Sequence, residues 1–164
     1  MKNIAFLTSG GIAPCLSSCI VRLMQQYKKK FDNVNFVGYL NGYKGLLTNN
    51  KIFLNPPDIN KSDGIYEFGG SLIGNSRVKL TNINDCIDKG YIKKNEIPLK
   101  IAAEQLKKDK IDILHTIGGD DTNTTACDLS NFLKKNHYRL IVIGLPKTID
   151  NDVIPINQTL GAIT

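Results

Sequence analysis

Four carboxylates follow two apolar segments of this 164-residue chain, and their types and spacing could do chemistry. Asp120 and Asp121 belong to the stretch GGDD, and Asp150 and Asp152 belong to PKTIDND. Carboxylates gathered at one place repel each other unless cations neutralise them, and Mg²⁺ binds through one or two carboxylates together with phosphate oxygens and water. The pattern therefore indicates a phosphoryl-transfer site, which also requires a base and positive groups around the transferred phosphate.

Residues near these carboxylates supply the other groups that such a reaction needs. Asp150 is the candidate base for a hydroxyl proton, and Lys147 and Arg77 are the candidate cations. In the alternative interpretation Asp150 and Asp152 only shape a turn, because Asp side chains often hydrogen-bond the nearby backbone in Asx turns.

Two glycine pairs lie where predicted strands end, and a third glycine-rich loop spans residues 69–77. Gly10 and Gly11 follow the first strand, and Gly118 and Gly119 precede the acidic pair. Glycine lets backbone amides approach an anion closely, and a following helix adds its N-terminal dipole. Neither pair has the spacing of a dinucleotide-binding motif or of a P-loop, so each pair alone is weak evidence for a phosphate site. The glycines could simply turn the chain, but three such loops and a carboxylate-rich fourth favour a site.

The elements that must position these residues alternate between strand and helix. Apolar runs predict strands at 4–7, 34–40, 111–117 and 140–145, the last of them buried, and apolar positions at helical spacing predict helices at 16–27, 98–108 and 122–134. Residues 41–45 read as a turn, 48–68 as irregular chain, and 81–96 as loop with a short helix. This order predicts an α/β fold, a doubly wound and mainly parallel sheet with helices on both faces, of the Rossmann-like kind. Ligands of such sheets bind beyond the carboxyl ends of the strands.

Composition excludes several other classes of protein. The net charge of +6 suits a small polyanionic substrate, but no aromatic residues alternate with the lysines as a nucleic-acid surface would require. The longest apolar runs fall well short of the roughly 18 residues of a membrane helix. The four cysteines form no C-x-x-C pair, so we expect them to be reduced packing residues in a cytoplasmic protein. Together these observations predict a protein that binds neither nucleic acid nor membrane.

Four stretches, in this order, resemble one known family. FLTSGGIAPC, GGSLIGNSR, GGDDTNTTA and PKTIDND are similar to the motifs of phosphofructokinases, and of their pyrophosphate-dependent branch in particular. The resemblance implies a reversible glycolytic enzyme of the cytoplasm that transfers a phosphoryl group from pyrophosphate to fructose 6-phosphate with Mg²⁺. It also implies a homo-oligomer at full length. Ile12 and Cys15 depart from many members, which have Asp and Gly there.

The resemblance also implies a role for each matching residue. Asp121 would occupy the space and repel the charge of the α-phosphate of ATP, and Lys147 would stabilise the transferred phosphate. Asp120 would meet Mg²⁺, and Asp150 would be the base toward the 1-hydroxyl of the sugar. Contacts to the donor phosphates are implied for Gly10, Gly11, Arg77 and Gly119, and contacts to the sugar phosphate for Thr148, Asp150 and Asp152.

The family is about twice the length of this chain or more, so we expect residues 1–164 to be a single N-terminal donor-binding domain. The C-terminal half, with most of the sugar-phosphate pocket, would be absent, and the piece alone would be inactive. Alternatives are an ATP-dependent phosphofructokinase, which Asp121 and Lys147 disfavour, and a nucleotide or lipid kinase, which would lack the TIDND segment. A non-catalytic binding or regulatory subunit of the same fold is the alternative from outside the enzymes.

Overall fold

The computed structural model describes residues 1–55 and 68–163. Its strands form one five-stranded sheet in the order β3-β2-β1-β4-β5, in which only β3 is antiparallel to its neighbour. The strands are β1 (Lys2–Ser9), β2 (Val34–Tyr39), β3 (Lys51–Leu54), β4 (Ile113–Gly118) and β5 (Ile141–Pro146). The helices are α1 (Cys15–Lys30), α2 (Tyr43–Leu47), α3 (Ile83–Asp88), α4 (Pro98–Lys108) and α5 (Asp120–Lys135).

The strand order reverses between β1 and β4. From β1 the chain builds outward to β2 and β3, then crosses back to add β4 and β5 on the other side. β1 and β4 run parallel in a register that pairs Ser9 with Gly118 at their carboxyl ends. Because ligands of doubly wound sheets bind at such a switch point, the loops after β1 and β4 mark the expected site.

Each face of the sheet packs against its own set of helices. Successive residues of a strand point to opposite faces, so Ile4 and Phe6 of β1 pack under α1, whereas Ala5 and Leu7 face the cluster formed with α2, α4 and α5. All four side chains are fully buried. A sheet covered on both faces explains why this strand reads as a continuous apolar run, and the predicted doubly wound α/β fold is confirmed.

The prediction for residues 48–68 is wrong where β3 forms, and residues 56–67 lie outside the described part of the chain. β3 pairs Lys51 with Tyr39 and Leu54 with Phe36. Its Lys51 Nζ lies 2.5 Å from Asp109 Oδ1, and the Tyr39 hydroxyl donates to the other oxygen of the same carboxylate. These long-range contacts stabilise a strand that is too short to show an apolar pattern in the sequence.

Other predictions need smaller corrections. The predicted turn at 41–45 is shorter, because α2 already begins at Tyr43. β5 is not a buried strand: it lies at the edge of the sheet, and its Ile141 is 59% exposed. The four cysteines are free. Cys86 is a buried packing residue and the partly buried Cys19 packs against the cluster of Ile4 and Phe6, but Cys127 is exposed on α5. The short helix expected within 81–96 is present as α3, and helix 98–108 is confirmed as α4.

Within residues 1–55 and 68–163, none of the helices combines the length and the apolar character needed to span a membrane.

Candidate active site

The site begins where the turns after β1 and β4 touch. Gly10 has φ of +85°, a left-handed conformation that a side chain would strain. A Cβ at Gly118 would collide with the Ser9 carbonyl oxygen and with the Thr122 side chain. These two glycines allow the two turns to approach each other, so backbone amides of both lie at the same end of the sheet.

The glycine-rich loop at 69–77 is tied to the first turn by hydrogen bonds. The Gly10 N–H donates to the Ser76 carbonyl oxygen at 2.8 Å, and the Ser9 hydroxyl donates to the same oxygen at 2.8 Å. The Asn75 side-chain amide donates to the Gly10 carbonyl oxygen, and the Thr8 hydroxyl donates to that of Gly74 at 2.6 Å. This network brings Arg77, which follows directly, to the mouth of the two turns.

The larger of two adjoining clefts has a volume of about 540 Å³. Three chain segments supply its polar lining: Gly10 and Gly11 from the first turn, Arg77 and Lys79 from the third loop, and the start of α5. α5 begins at Asp120 after Gly119, and no side chain among the described residues caps its first amides. Free first-turn amides and two cations make this cleft suitable for an anion.

Asp121 places a negative charge in that basic cleft. Its Oδ2 lies 2.8 Å from Nζ of Lys79, in an ion pair whose side chains are 73% and 44% exposed respectively. Our sequence reasoning did not identify Lys79 as a site residue. The available signal was its position two residues beyond Arg77 in a non-helical segment, which places a second cation near the first.

The smaller cleft, of about 330 Å³, shares Gly11, Gly119 and Asp120 with the larger one. The turn after β5 supplies the rest of its polar lining, namely Lys147, Thr148, Asp150 and Asp152. The two clefts are therefore two compartments of one site, and the residues they share lie where the compartments meet.

Lys147 is the buried cation of the site, with only 8% of the residue exposed. Its backbone N–H donates to the Gly118 carbonyl oxygen at 2.8 Å, which fixes the start of the turn. Its Nζ lies 3.2 Å from the place that a Cβ on Gly11 would occupy, and within residues 1–55 and 68–163 it makes no hydrogen bond or ion pair. Burial raises the pKa of the Cys15 thiol, although the positive charge of Lys147 opposes this. An ammonium with no anionic partner beside a glycine turn is available to an anionic ligand.

The turn that carries Asp150 is held by short-range hydrogen bonds. The Asp150 N–H donates to the Thr148 hydroxyl at 3.1 Å, and that hydroxyl lies 3.4 Å from one carboxylate oxygen of Asp150 and of Asp152. Asn151, at φ of +52°, accepts from the Thr159 N–H at 2.8 Å. Both carboxylates stay exposed toward the smaller cleft, so the turn positions them without burying them.

Two further residues support the start of α5 from behind, and our sequence analysis did not identify either. The Tyr43 hydroxyl, fully buried, donates to the Thr122 carbonyl oxygen at 2.9 Å. The Asn123 side-chain amide donates to the carbonyl oxygens of Gly118 and Gly119 at 2.8 and 2.9 Å. The Tyr43 contact depends on the tertiary fold and leaves no pattern along the chain, whereas the Asn123 contacts are local to the turn that precedes α5.

The structure brings every predicted site residue to one of the two clefts, while their individual roles stay predictions. The expectation of one group of four carboxylates needs correction, because the carboxylates are divided: Asp121 lines the larger cleft, Asp150 and Asp152 the smaller, and Asp120 both. The reason is that the first pair starts a helix, whereas the second lies in the turn after the edge strand. Across the described ranges, no three His, Cys, Asp or Glu side chains cluster to hold a metal. The exposed Asp120 fits a cation that draws most of its ligands from a bound phosphate.

Comparisons with known proteins identify relatives of this chain. The pyrophosphate–fructose 6-phosphate 1-phosphotransferase of Mastigamoeba balamuthi is 51% identical over 164 residues, which is 100% of this chain and 40% of that protein. The enzyme of the same name from Methylotuvimicrobium alcaliphilum is 55% identical over 163 residues, covering 99% of this chain and 40% of that protein. The chain thus spans about 40% of the length of these curated relatives.

A solved structure shows the same fold. The pyrophosphate-dependent phosphofructokinase of Marinobacter aquaeolei superposes with a TM-score of 0.80 at 21% identity, over 99% of this chain and 37% of that one. The sequence pattern of the family described as Phosphofructokinase matches residues 3–164. The chain therefore belongs to the phosphofructokinase family, as the four motifs predicted.

Proposed function

We propose that the full-length protein transfers a phosphoryl group reversibly from pyrophosphate to the 1-hydroxyl of fructose 6-phosphate, as a glycolytic phosphotransferase. This chain would be its donor-binding domain. The observation that carries the proposal is the position of Asp121, which lines the same cleft as Gly10, Gly11 and Arg77. The names of the two relatives described above, each identical at more than half of the aligned residues, support it.

Asp121 supports pyrophosphate over ATP as the donor. In this proposal the larger cleft holds two phosphates, and the Asp121 carboxylate takes the place where the α-phosphate of ATP would lie. Two unit charges about 4 Å apart repel by roughly 4 kcal/mol at an effective dielectric of 20, which is near a thousandfold in binding. Asp121 is largely exposed and paired with Lys79, so solvent and this counter-charge reduce the repulsion, and steric overlap adds to what remains.

The smaller cleft would hold the sugar phosphate, with Asp150 accepting the proton of its 1-hydroxyl. A carboxylate is a weak base, with a pKa near 4 in water, so it must be held within hydrogen-bond reach of that proton. The hydrogen bond from the Asp150 N–H to the Thr148 hydroxyl stabilises the turn and would keep the carboxylate within that reach. Thr148 and Asp152 would contact the sugar phosphate from the same turn.

Lys147 would stabilise the charge on the phosphate as it moves between the two compartments. Its ammonium lies beside Gly11, one of the residues that both clefts share, and it has little exposure to water that would screen its charge. Arg77 would supply positive charge from the larger cleft, and the amides of Gly11 and Gly119 would hold the donor oxygens. Gly10, whose own N–H donates to the Ser76 carbonyl oxygen, would contact the donor as part of the same turn. Positive groups placed in advance around a developing charge are commonly the largest contribution to catalysis.

Asp120 would be the protein ligand of Mg²⁺, because it lines both clefts and no larger acidic cluster accompanies it in the described residues. When bound, the ion neutralises phosphate charge and polarises phosphoryl oxygens. The cytoplasmic location and the homo-oligomeric state of the full-length protein are further parts of the proposal. The four free cysteines are consistent with a reducing compartment.

The proposal is tested by initial rates of the full-length protein with each donor. We expect turnover with pyrophosphate and a kcat/KM for ATP lower by orders of magnitude. Asp121→Gly should raise the kcat/KM for ATP relative to that for pyrophosphate, since it removes both the charge and the bulk that disfavour ATP. A wild-type enzyme that uses ATP as well as pyrophosphate would refute the donor assignment, and an unchanged ratio in the variant would reduce Asp121 to a structural residue.

A further inference from the structure

We propose that Lys79 is a donor-binding residue that sets specificity together with Asp121, by neutralising Asp121 and donating to the phosphate of pyrophosphate that lies nearer to Asp121. This inference rests on the proposed function and assigns a second cation to the same cleft. It explains how a site that carries Asp121 can accept a donor that is itself strongly negative.

The geometry places Lys79 where this role requires. Its Nζ lies 2.8 Å from Asp121 Oδ2, and both residues line the larger cleft with Arg77, Gly10 and Gly11. The two partners come from different segments, the chain after the third glycine loop and the first turn of α5. Their contact therefore joins two walls of the cleft rather than neighbours within one helix.

The chemistry of the ammonium group allows two partners at once. A lysine Nζ carries three N–H donors, and the contact with Asp121 uses one. The side chain of Lys79 is 44% exposed, so the remaining donors are open to a ligand. The pair as a whole is neutral, which lets a small anion approach Asp121 without full repulsion, while its bulk still occupies the space that a longer donor needs.

The pair contributes little to stability on its own. Ion pairs between exposed side chains are typically worth about 0–1 kcal/mol because water screens them. An ion pair that adds little stability, in a cleft lined by glycine amides, is better explained by a role in ligand binding than by a role in folding. A purely structural role for Lys79 therefore predicts almost no effect of its removal, whereas a binding role predicts a large effect on one substrate.

The experiment uses four variants of the full-length protein: Lys79→Met, Lys79→Arg, the double variant Lys79→Met with Asp121→Asn, and Lys89→Met. Lys89 is the matched control, since its Nζ lies 2.8 Å from an Asp85 oxygen and its side chain is 52% exposed, but it lines neither cleft. The dissociation constant of magnesium pyrophosphate is measured by isothermal titration calorimetry, and KM and kcat for both substrates by initial rates.

We expect Lys79→Met to weaken pyrophosphate binding about tenfold or more, since it removes the attractive charge of Lys79 and leaves the repulsive charge of Asp121 unpaired. The KM for fructose 6-phosphate and the melting temperature should stay at the values of Lys89→Met, and Lys79→Arg should restore most of the affinity. Adding Asp121→Asn to Lys79→Met should tighten pyrophosphate binding again, because the unpaired carboxylate is gone.

Two results would overturn the inference. One is pyrophosphate affinity in Lys79→Met equal to that in Lys89→Met, and the other is a double variant that binds pyrophosphate no better than Lys79→Met. In either case turnover of the wild-type protein with pyrophosphate would leave the proposed function intact. A wild-type protein that prefers ATP would instead refute the proposed function itself.

Discussion

Replacing Asp150 by Asn removes the candidate base while keeping the shape of its side chain. The Asp150 N–H still donates to the Thr148 hydroxyl at 3.1 Å, and the amide oxygen can replace the carboxylate oxygen that lies 3.4 Å from it. The turn should therefore keep its conformation. The side chain is exposed and makes no ion pair among the described residues, so the substitution should cost little stability.

The expected loss is in turnover. Removing a general base typically costs about a hundred- to ten-thousandfold, or roughly 2.7–5.5 kcal/mol of activation free energy. We expect kcat of the full-length Asp150→Asn variant to fall by that order while the KM for fructose 6-phosphate changes less than about threefold, because binding and proton transfer use different parts of the turn.

Asp152→Asn is the matched control for this prediction. The Asp152 carboxylate lies the same 3.4 Å from the Thr148 hydroxyl, so a defect in the turn alone would affect both variants alike. We expect Asp152→Asn to raise KM for the sugar phosphate more than it lowers kcat. If Asp150→Asn raises KM strongly while kcat survives, Asp150 is a binding residue and the base lies elsewhere.

Three further predictions concern other buried or shared groups. Lys147→Met should lower kcat by about a hundredfold or more, because it removes a buried charge beside the shared Gly11; a kcat within threefold of wild type would contradict this role. Asp120→Asn should raise the Mg²⁺ concentration for half-maximal rate about tenfold, and an unchanged Mg²⁺ dependence would exclude it as a ligand. Burial lowers the pKa of His115 to about 4 from 6.5, so the folded state disfavours its protonation. Stability should therefore fall by about 2 kcal/mol from pH 7.5 to pH 5. The melting temperature over that range should fall less in His115→Gln, and an equal fall in both proteins would exclude His115 as the cause.

The parallel strands and the ligand-binding end of the sheet could be predicted from sequence because both depend on local pattern. Continuous apolar runs indicate strands buried on both faces, as Ile4 to Leu7 shows, and glycine followed by polar residues marks their carboxyl ends. β3 could not be predicted, since its four residues depend on pairing with β2 and on the contact of Lys51 with Asp109. The exposure of β5 likewise depends on its position at the edge of the sheet, and the apolar run 140–145 does not indicate that position.

In the candidate site, too, the features that depend on local sequence could be predicted and those that depend on tertiary contacts could not. Motif residues such as Asp121 and Asp150 could be identified because residue type and spacing carry the chemistry. Lys79 was missed, since its pairing with Asp121 exists only when the third glycine loop lies against α5. The distribution of the carboxylates over two clefts also required the structure, because it depends on where α5 begins.

In the proposed function, this end of the sheet transfers phosphate from pyrophosphate and not from ATP. Phosphorus-31 NMR of the full-length protein with fructose 6-phosphate, Mg²⁺ and equal concentrations of both donors in one sample tests it directly. We predict that pyrophosphate disappears as orthophosphate and a new sugar phosphate resonance grow in equal amounts, while the three ATP resonances stay constant. Growth of ADP resonances at the expense of ATP, with pyrophosphate unchanged, would contradict the claim.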